Sequence, residues 1–95
     1  MRFGKSRFRA SDAYAMLSSE LAAYRELPYD ELTQLVGERS LRRVTAADST
    51  EYAIEVIVRW LDLEGGDVRV VGWVAVDDCG PVRRLDDAFV VARPD

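Results

Sequence analysis

Two apolar segments separated by Gly65-Gly66 constrain the fold of this chain more than any other feature. Residues 52–61 and residues 68–76 are rich in β-branched and aromatic side chains, which favour extended strands. A Gly-Gly pair supplies the positive φ angles that a tight hairpin turn requires. The sequence therefore predicts a central antiparallel β-hairpin, on which the rest of the chain packs.

Alternation along the two segments predicts which face of the hairpin is buried, because successive side chains of a strand point to opposite faces. In the first strand the inward residues are Tyr52, Ile54, Val56, Val58 and Trp60. In the second strand they are Val68, Val70, Gly72, Val74 and Val76. The opposite, outer face carries the remaining apolar and charged side chains.

The hairpin register follows from joining these two inward sets. Even-numbered residues must lie opposite even-numbered ones, for example Trp60 opposite Val70. A strict two-residue turn at Gly65-Gly66 would slip the register by one residue and bring Trp73 inward. We therefore expect an odd-length loop or a bulge within residues 63–67. In that register the outer face gathers four apolar residues: Ile57, Leu61, Val71 and Trp73.

Helical spacing predicts two helices before the sheet. The first is capped by Ser11 or Asp12 and ends at Leu27-Pro28, since the residue before proline avoids the α region. Its apolar stripe consists of Tyr14, Leu17, Leu21 and Tyr24. A second, short helix is predicted over residues 31–36, with Asp30 as its N-terminal cap.

Further strands are predicted on both sides of the hairpin. Residues 41–45 form a short strand that places Arg42-Arg43 near a sheet edge, where charge discourages pairing with other chains. Residues 82–85 form a strand that Asp86-Asp87 interrupts, and residues 88–92 form a last short strand or return across the core edge. The predicted fold class is α+β: an N-terminal helix and a short helix packed on one face of a mostly antiparallel meander sheet of about four strands.

Length and composition predict one domain without covalent or metal cross-links. A chain of 95 residues can build a single hydrophobic core, and its one cysteine, Cys79, cannot form an internal disulfide. No apolar segment is long enough for a membrane span, and the basic N-terminus lacks the apolar stretch of a signal peptide. We expect a cytoplasmic protein.

Charge divides the chain into a basic N-terminal arm, residues 1–10, and an acidic domain, residues 11–95. The basic residues of the arm are Arg2, Lys5, Arg7 and Arg9. The other nine basic residues face all 17 acidic ones, so the domain carries −8 against −4 for the whole chain. With Phe3 and Phe8, the arm could bind a nucleic-acid backbone or an anionic lipid surface. We favour a frayed, disordered terminus instead, because chain termini are commonly disordered and the rest of the surface is acidic.

Catalytic chemistry has little support in the sequence. Histidine is absent, which removes Ser-His and Cys-His pairs and most zinc sites. Asp77-Asp78 and Asp86-Asp87 could meet across a turn and hold magnesium or calcium, although acidic residues around turns usually serve as solvated caps. Cys79 follows two acids, which disfavour its thiolate. We expect no enzymatic activity, no catalytic residue, no metal site and no cofactor.

The outer face of the hairpin is the main candidate for function. Its interface candidates are Ile57, Arg59, Leu61, Arg69, Val71, Trp73 and Ala75. Tryptophan and arginine are enriched where interfaces concentrate binding energy, and an apolar patch on an open sheet needs a cover. The cover is either another chain or an internal element, namely residues 89–92 or the second helix. We expect a protein-interaction module that forms a homodimer through this face.

Two other function classes remain as alternatives. A regulatory nucleic-acid binder would use the arm and two arginines of the first predicted strand: Arg2, Lys5, Arg7, Arg9, Arg42 and Arg43. The acidic domain argues against it. An enzyme that uses the Asp77-Asp78 and Asp86-Asp87 carboxylates ranks last.

A family resemblance is carried by three segments within residues 20–90. They are residues 27–32, residues 52–62 with 67–70, and residues 76–78 with 85–89. Together they resemble a family of small bacterial proteins without an assigned activity. The resemblance implies an α+β domain and carries over no functional residue.

Overall fold

Two helices precede a four-stranded sheet in the computed structural model, which describes residues 8–76 and 83–95. The helices are α1 (Ala10–Arg25) and α2 (Tyr29–Gln34). The strands are β1 (Arg39–Thr45), β2 (Glu51–Trp60), β3 (Val68–Val76) and β4 (Arg83–Val91). Neighbouring strands are antiparallel and follow chain order across the sheet. The predicted α+β class with a four-stranded antiparallel meander is confirmed.

The central hairpin of β2 and β3 has the predicted parity. Val58 lies opposite Val70, and Trp60 lies opposite Val68. The even-to-even register is confirmed, whereas the expected pairing of Trp60 with Val70 is wrong by two residues. Seven residues, 61–67, connect the strands, so the odd-length loop is also confirmed.

Backbone hydrogen bonds explain the shape of this loop. The Leu61 amide donates to the Asp67 carbonyl at 2.9 Å, which extends the β2–β3 ladder by one pair. Gly65 has a φ of 84°, in the left-handed region that glycine adopts without steric cost. The Tyr29 hydroxyl donates to the Gly66 carbonyl at 2.7 Å, so α2 is tied to the loop.

A single hydrophobic core lies between the helices and the inner face of the sheet. Its fully buried members are Ala13, Leu17, Leu21, Leu32, Tyr52, Ile54, Val56, Val58, Val68, Val70, Val74 and Val76. All strand residues in this set are even-numbered, as alternation predicts. Trp60 is only partly buried at the edge of the core.

Gly72 allows α1 to approach the sheet closely. A Cβ atom at this position would lie 2.9 Å from Leu17 Cδ1 and 3.1 Å from Leu21 Cδ2. Both distances are shorter than ordinary carbon contacts, so the helix seats on the one inner-face position of β3 that has no side chain.

The first residue of α1 and the composition of its buried stripe differ from the prediction. The helix begins at Ala10 and has Arg9 as its N-cap without a side-chain cap, so the expected Ser11 or Asp12 cap is wrong. The Arg9 amide donates to the Tyr52 hydroxyl at 3.1 Å, which fixes the first turn against the sheet. Tyr14 is 56% exposed, because the buried stripe continues through Ala13 instead.

The second helix also begins earlier than predicted. α2 starts at Tyr29 with Pro28 at its N-cap, so Asp30 is not the cap. Proline suits a helix start because it has no amide hydrogen that would need a partner. Leu32 is fully buried and anchors this short helix to the core.

β4 is one continuous strand, so the predicted interruption at Asp86-Asp87 is wrong. Every residue of β4 lies opposite a residue of β3. Asp86 lies opposite Trp73 on the outer face, and Asp87 lies opposite Gly72 on the inner face. The strand accommodates both acids because adjacent side chains point to opposite faces and Gly72 has no side chain to oppose Asp87.

β1 begins at Arg39, two residues before the predicted start, and forms the edge of the sheet next to β2. Arg42-Arg43 therefore lies on an edge strand, as expected. Neither helix of the described chain is long and apolar enough to cross a membrane.

Candidate functional site on the outer sheet face

The outer face of the sheet carries the odd-numbered residues of β1, β2 and β3 and the even-numbered residues of β4. Three rows cross it from β1 to β4: Arg39-Ile57-Val71-Ala88, Leu41-Glu55-Trp73-Asp86 and Arg43-Ala53-Ala75-Arg84. Arg59 and Arg69 lie opposite each other at the end near the β2–β3 loop. Glu51 lies opposite Thr45 at the other end.

Neither predicted internal cover lies over the outer face. Leu32 of α2 packs in the core on the inner face, and Phe89 and Val91 of β4 also pack against that core. The guanidinium of Arg25 in α1 lies 4.3 Å from the Phe89 ring centroid, which places Phe89 under the helix. Within residues 8–76 and 83–95, helices therefore cover one face of the sheet and leave the other open.

Trp73 is the largest apolar side chain of the outer face and is half-buried by its neighbours. The Arg84 guanidinium carbon lies 5.1 Å from the Trp73 ring centroid, within the range of a cation–π contact. Ile57, Val71 and Ala75 are also half-buried on the same face. The contact with Arg84 restrains the orientation of the Trp73 ring on the outer face.

Glu55 lies beside Trp73 at the middle of the face. Its side chain is 15% exposed, and its Oε2 atom accepts a hydrogen bond from Arg39 Nε at 2.6 Å. Among the described outward residues of β2 and β3, only Glu51 and Glu55 are acidic. The ion pair with Arg39 partly neutralises the charge of Glu55. The apolar centre is thus interrupted by a paired charge.

Arginine dominates the rim of the outer face. The charged residues of the whole outer face are Arg39, Arg43, Arg59, Arg69, Arg84, Glu51, Glu55 and Asp86. Five arginines against three acids give this face a charge of +2, whereas the chain carries −4. Arg59 and Arg69 form no ion pair with another described residue, and like charges directly opposite each other destabilise a sheet.

The sheet edges are less suited to binding than the face. β1 presents Arg39, Arg42 and Arg43 along one edge, and β4 carries two arginines and two aspartates in its first five residues along the other. Charged edge strands resist pairing with a further strand. The apolar outer face is therefore the better candidate for a contact with another molecule.

The structure brings most of the predicted interface residues together. Ile57, Arg59, Arg69, Val71, Trp73 and Ala75 share the outer face. Leu61 follows the last residue of β2 and is exposed at the beginning of the loop. Asp77, which alternation along residues 68–76 predicts at the border of this patch, lies outside the described residues.

The predicted anion-binding residues do not share one surface. Arg42 points inward and lies 3.6 Å from Glu20 of α1, whereas Arg43 points outward. Arg9 Nε lies 3.7 Å from an Asp48 oxygen. Arg2, Lys5 and Arg7 lie outside the described residues, so the structure gives no geometry for the rest of the arm.

Asp48 occupies the β1–β2 turn beside Arg9. The Thr50 amide donates to Asp48 Oδ1 at 3.0 Å. Hydrogen bonds from Thr50, and to a smaller extent the Arg9 charge, hold the pKa of Asp48 below its ordinary value of 3.8. This arrangement stabilises the turn, since each contact favours the ionised carboxylate.

A shallow cleft of about 320 Å³ lies between α1 and the first two strands. Its lining residues are Ala15, Met16, Ser19, Glu20, Arg42, Val44 and Ile54. Its two charged side chains, Glu20 and Arg42, already pair with each other. The cleft therefore offers no free charged group to orient a ligand.

The acidic pairs do not form a metal site in the described part of the chain. No group of three or more potential metal ligands occurs there. Asp86 and Asp87 point to opposite faces of β4, so they cannot bind one ion together. Asp77, Asp78 and Cys79 lie outside the described residues.

Sequence reasoning missed the contribution of the edge strands to the outer face. The missed residues are Arg39, Leu41, Arg43, Arg84, Asp86, Ala88 and Val90 as face residues. Alternation through residues 83–91 predicts four of them, but the low strand propensity of Asp86-Asp87 favours a break in the strand at that point. Arg84 matters most among them because it stacks on Trp73.

No protein-family model matches the sequence, and no curated protein or solved structure is significantly similar to it. The resemblance to small bacterial proteins therefore stays a prediction. Function is inferred from the geometry and charge of the outer face.

Proposed function

We propose that this chain is a small, non-enzymatic protein-interaction module that self-associates through the outer face of its sheet. One observation carries the proposal: among the described elements, both helices pack on the inner face and leave the outer face open. That face combines a tryptophan whose ring orientation is restrained with arginines at its rim, the residue types that dominate binding energy at interfaces.

The size of the outer face agrees with a weak homodimer. Four strands spaced about 4.8 Å apart, with seven to ten residues of about 3.3 Å each, give a face of about 550 Å² per copy. Two such faces would bury a total of about 1,100 Å², in the size range of weak, transient contacts. The dimer is therefore sought at micromolar concentrations.

A second copy fits this face better than an extended nucleic acid. The apolar centre needs an apolar partner surface, and an identical face supplies one of matching size. The chain as a whole is acidic, so a polyanion would be repelled outside the arginine rim. With one cysteine and no required cofactor, the module is proposed to act in the cytoplasm.

The test is the solution mass of the wild type and of Trp73→Glu, measured by sedimentation equilibrium over a micromolar concentration series. The wild type should approach the dimer mass as concentration rises. Trp73→Glu should remain a monomer, because it removes the apolar anchor and places a carboxylate, which is costly to bury, at the centre of the face. Circular dichroism checks that the variant is folded.

Two further variants make the result specific to the outer face. Tyr14→Glu introduces the same charge at an exposed aromatic residue of α1, so its dimerisation should match that of the wild type. Ala75→Glu adds a carboxylate to the outer face without removing a large side chain, and it should weaken the dimer even if Trp73→Glu fails to fold. A wild type that stays monomeric, or an Ala75→Glu variant that dimerises normally, would contradict the proposal.

Binding of single-stranded nucleic acid is a second candidate, favoured by the +2 charge of the outer face and the stacked Trp73–Arg84 pair. Fluorescence anisotropy of a labelled oligonucleotide tests it. Binding that weakens with salt and is lost in Trp73→Ala would support this function. Equal anisotropy with and without the protein would remove it.

A further inference from the structure

The outer face carries opposite charges at the two ends of its central strand β2. Outward positions along this strand are Glu51, Ala53, Glu55, Ile57 and Arg59. Glu51 and Arg59 are both exposed, and eight residue steps of about 3.3 Å place them about 26 Å apart. Glu55 is the midpoint of the row and lies opposite Trp73. When β2 is laid over its own reverse, opposite charges therefore meet at both ends, and Glu55 meets Glu55 at the midpoint.

We infer that two copies pack face to face about a two-fold axis that crosses the strands at Glu55 and Trp73. This inference rests on the proposed self-association and specifies its geometry. Each β2 then lies over β2 of the second copy in the reverse direction, so Arg59 of one copy faces Glu51 of the other, twice per dimer. A two-fold axis requires both contacts to form together.

The same axis also matches the apolar residues of the face. Ala53 of one copy faces Ile57 of the other, and Val71 faces Ala75. Trp73 faces the Trp73 of the second copy at the axis, where two indoles can stack in an offset arrangement. Small residues thus oppose larger ones on either side of the tryptophan pair, which favours close packing.

The alternative two-fold axis, parallel to the strands, has worse electrostatics. It would place β2 of one copy over β3 of the other and bring Arg59 against Arg69 twice, on either side of the axis at the same end of the strands. On the outer strands it would bring Arg43 against Arg84. Four arginine–arginine contacts without intervening acids disfavour this arrangement.

The reversed arrangement also brings like charges together. On β1, Arg39 of one copy faces Arg43 of the other, and on the axis itself Glu55 faces Glu55 and Asp86 faces Asp86. The Arg39–Glu55 ion pair at 2.6 Å reduces the net charge of both partners. Packed sheets also rotate by about 30° relative to each other, so the edge strands that carry Arg43 and Asp86 diverge while the central strands stay in contact. Only the reversed arrangement adds opposite-charge contacts, the two Arg59–Glu51 pairs, and these favour its orientation.

Charge reversal at the two ends of β2 tests this geometry. Arg59→Glu gives two Glu–Glu contacts in its homodimer, and Glu51→Arg gives two Arg–Arg contacts. Each variant should dimerise at least about tenfold more weakly than the wild type at low salt, with a smaller difference at high salt. In a mixture of the two variants, both contacts become Glu–Arg pairs. The mixture should therefore form a heterodimer with near wild-type affinity.

Native mass spectrometry of the mixture separates the heterodimer from both homodimers, because the two substitutions change the mass in opposite directions. A heterodimer that exceeds both homodimers supports the reversed two-fold arrangement. Homodimers that persist at wild-type affinity, or two weak homodimers without a heterodimer, would overturn it.

The solution mass of the wild type and of Trp73→Glu tests the proposed self-association independently of its geometry. If Trp73→Glu is monomeric and the charge variants dimerise normally, the outer face is the interface but the orientation is wrong. If the wild type never dimerises, the self-association and its geometry both fall.

Discussion

Gly72→Ala tests how the helices are held on the inner face. The added Cβ would lie 2.9 Å from Leu17 Cδ1, about 0.5 Å inside the 3.4 Å at which ordinary contact begins. It would also lie 3.1 Å from Leu21 Cδ2. Both leucines are fully buried, so their methyl groups cannot swing into solvent to make room. Either α1 shifts away from the sheet or the two leucines leave their rotamers.

The expected loss combines two opposing effects. Overpacking of this kind costs about 1–3 kcal/mol. Replacing glycine in a strand recovers about 0.5–1 kcal/mol, since alanine loses less backbone entropy on folding. The net decrease in the free energy of unfolding is therefore about 1 kcal/mol, which corresponds to a Tm lower by about 4–8 °C in a domain of this size.

The assay is urea denaturation followed by circular dichroism, with all variants at one protein concentration because self-association would otherwise shift the apparent stability. Leu17→Val withdraws the atom nearest to the new Cβ. In the Leu17→Val background, Gly72→Ala should be neutral or stabilising, so the double-mutant cycle should show coupling. Equal destabilisation in both backgrounds would refute the steric explanation, as would a Gly72→Ala variant that is more stable than the wild type.

Three further substitutions probe the hairpin and its turns. Tyr29→Phe removes the hydrogen bond to the Gly66 carbonyl and should lower the free energy of unfolding by about 0.5–1.5 kcal/mol, with faster amide exchange in the β2–β3 loop. Arg59→Glu replaces the like-charge pair with Arg69 by an opposite pair and should stabilise the monomer by about 0.2–1 kcal/mol in urea denaturation. Because the folded pKa of Asp48 is lowered, its contribution is complete above the ordinary value of 3.8 and is lost as pH falls through the folded pKa. Thermal melts should be recorded at a pH above 3.8 and at a pH below the folded pKa. Because Asp48→Ala has no carboxylate to protonate at this position, its Tm should fall less between the two pH values than the Tm of the wild type.

The sequence predicted the features of this fold that depend on local periodicity. Alternation predicts the inward face of β2 and β3, and the even-to-even register predicts Trp73 on the outer face, as the structure shows. These inferences succeed because burial of one face penalises a register slip along the whole strand. The faces of the central hairpin were therefore predictable from its residues.

Features that depend on tertiary contacts were not predictable in the same way. Asp86-Asp87 has low strand propensity, yet pairing along all of β3 keeps it extended. The exposure of Tyr14 depends on the seat of α1 over Gly72, which no helical pattern reveals. The cation–π contact of Arg84 with Trp73 likewise needs the register of a strand that the sequence appeared to break.

The Arg59→Glu substitution distinguishes a structural role of Arg59 from an interface role, because the two roles predict different effects on monomer stability and on dimerisation. If the outer face only faced solvent, relieving the Arg59–Arg69 repulsion by Arg59→Glu would stabilise the fold and change nothing else. If Arg59 faces Glu51 of a second copy, the same substitution stabilises the monomer but weakens the dimer. Loss of folding cannot explain that combination, because the two effects have opposite signs. Denaturation at low concentration and sedimentation at high concentration, on one variant, therefore distinguish a solvated charge from an interface residue.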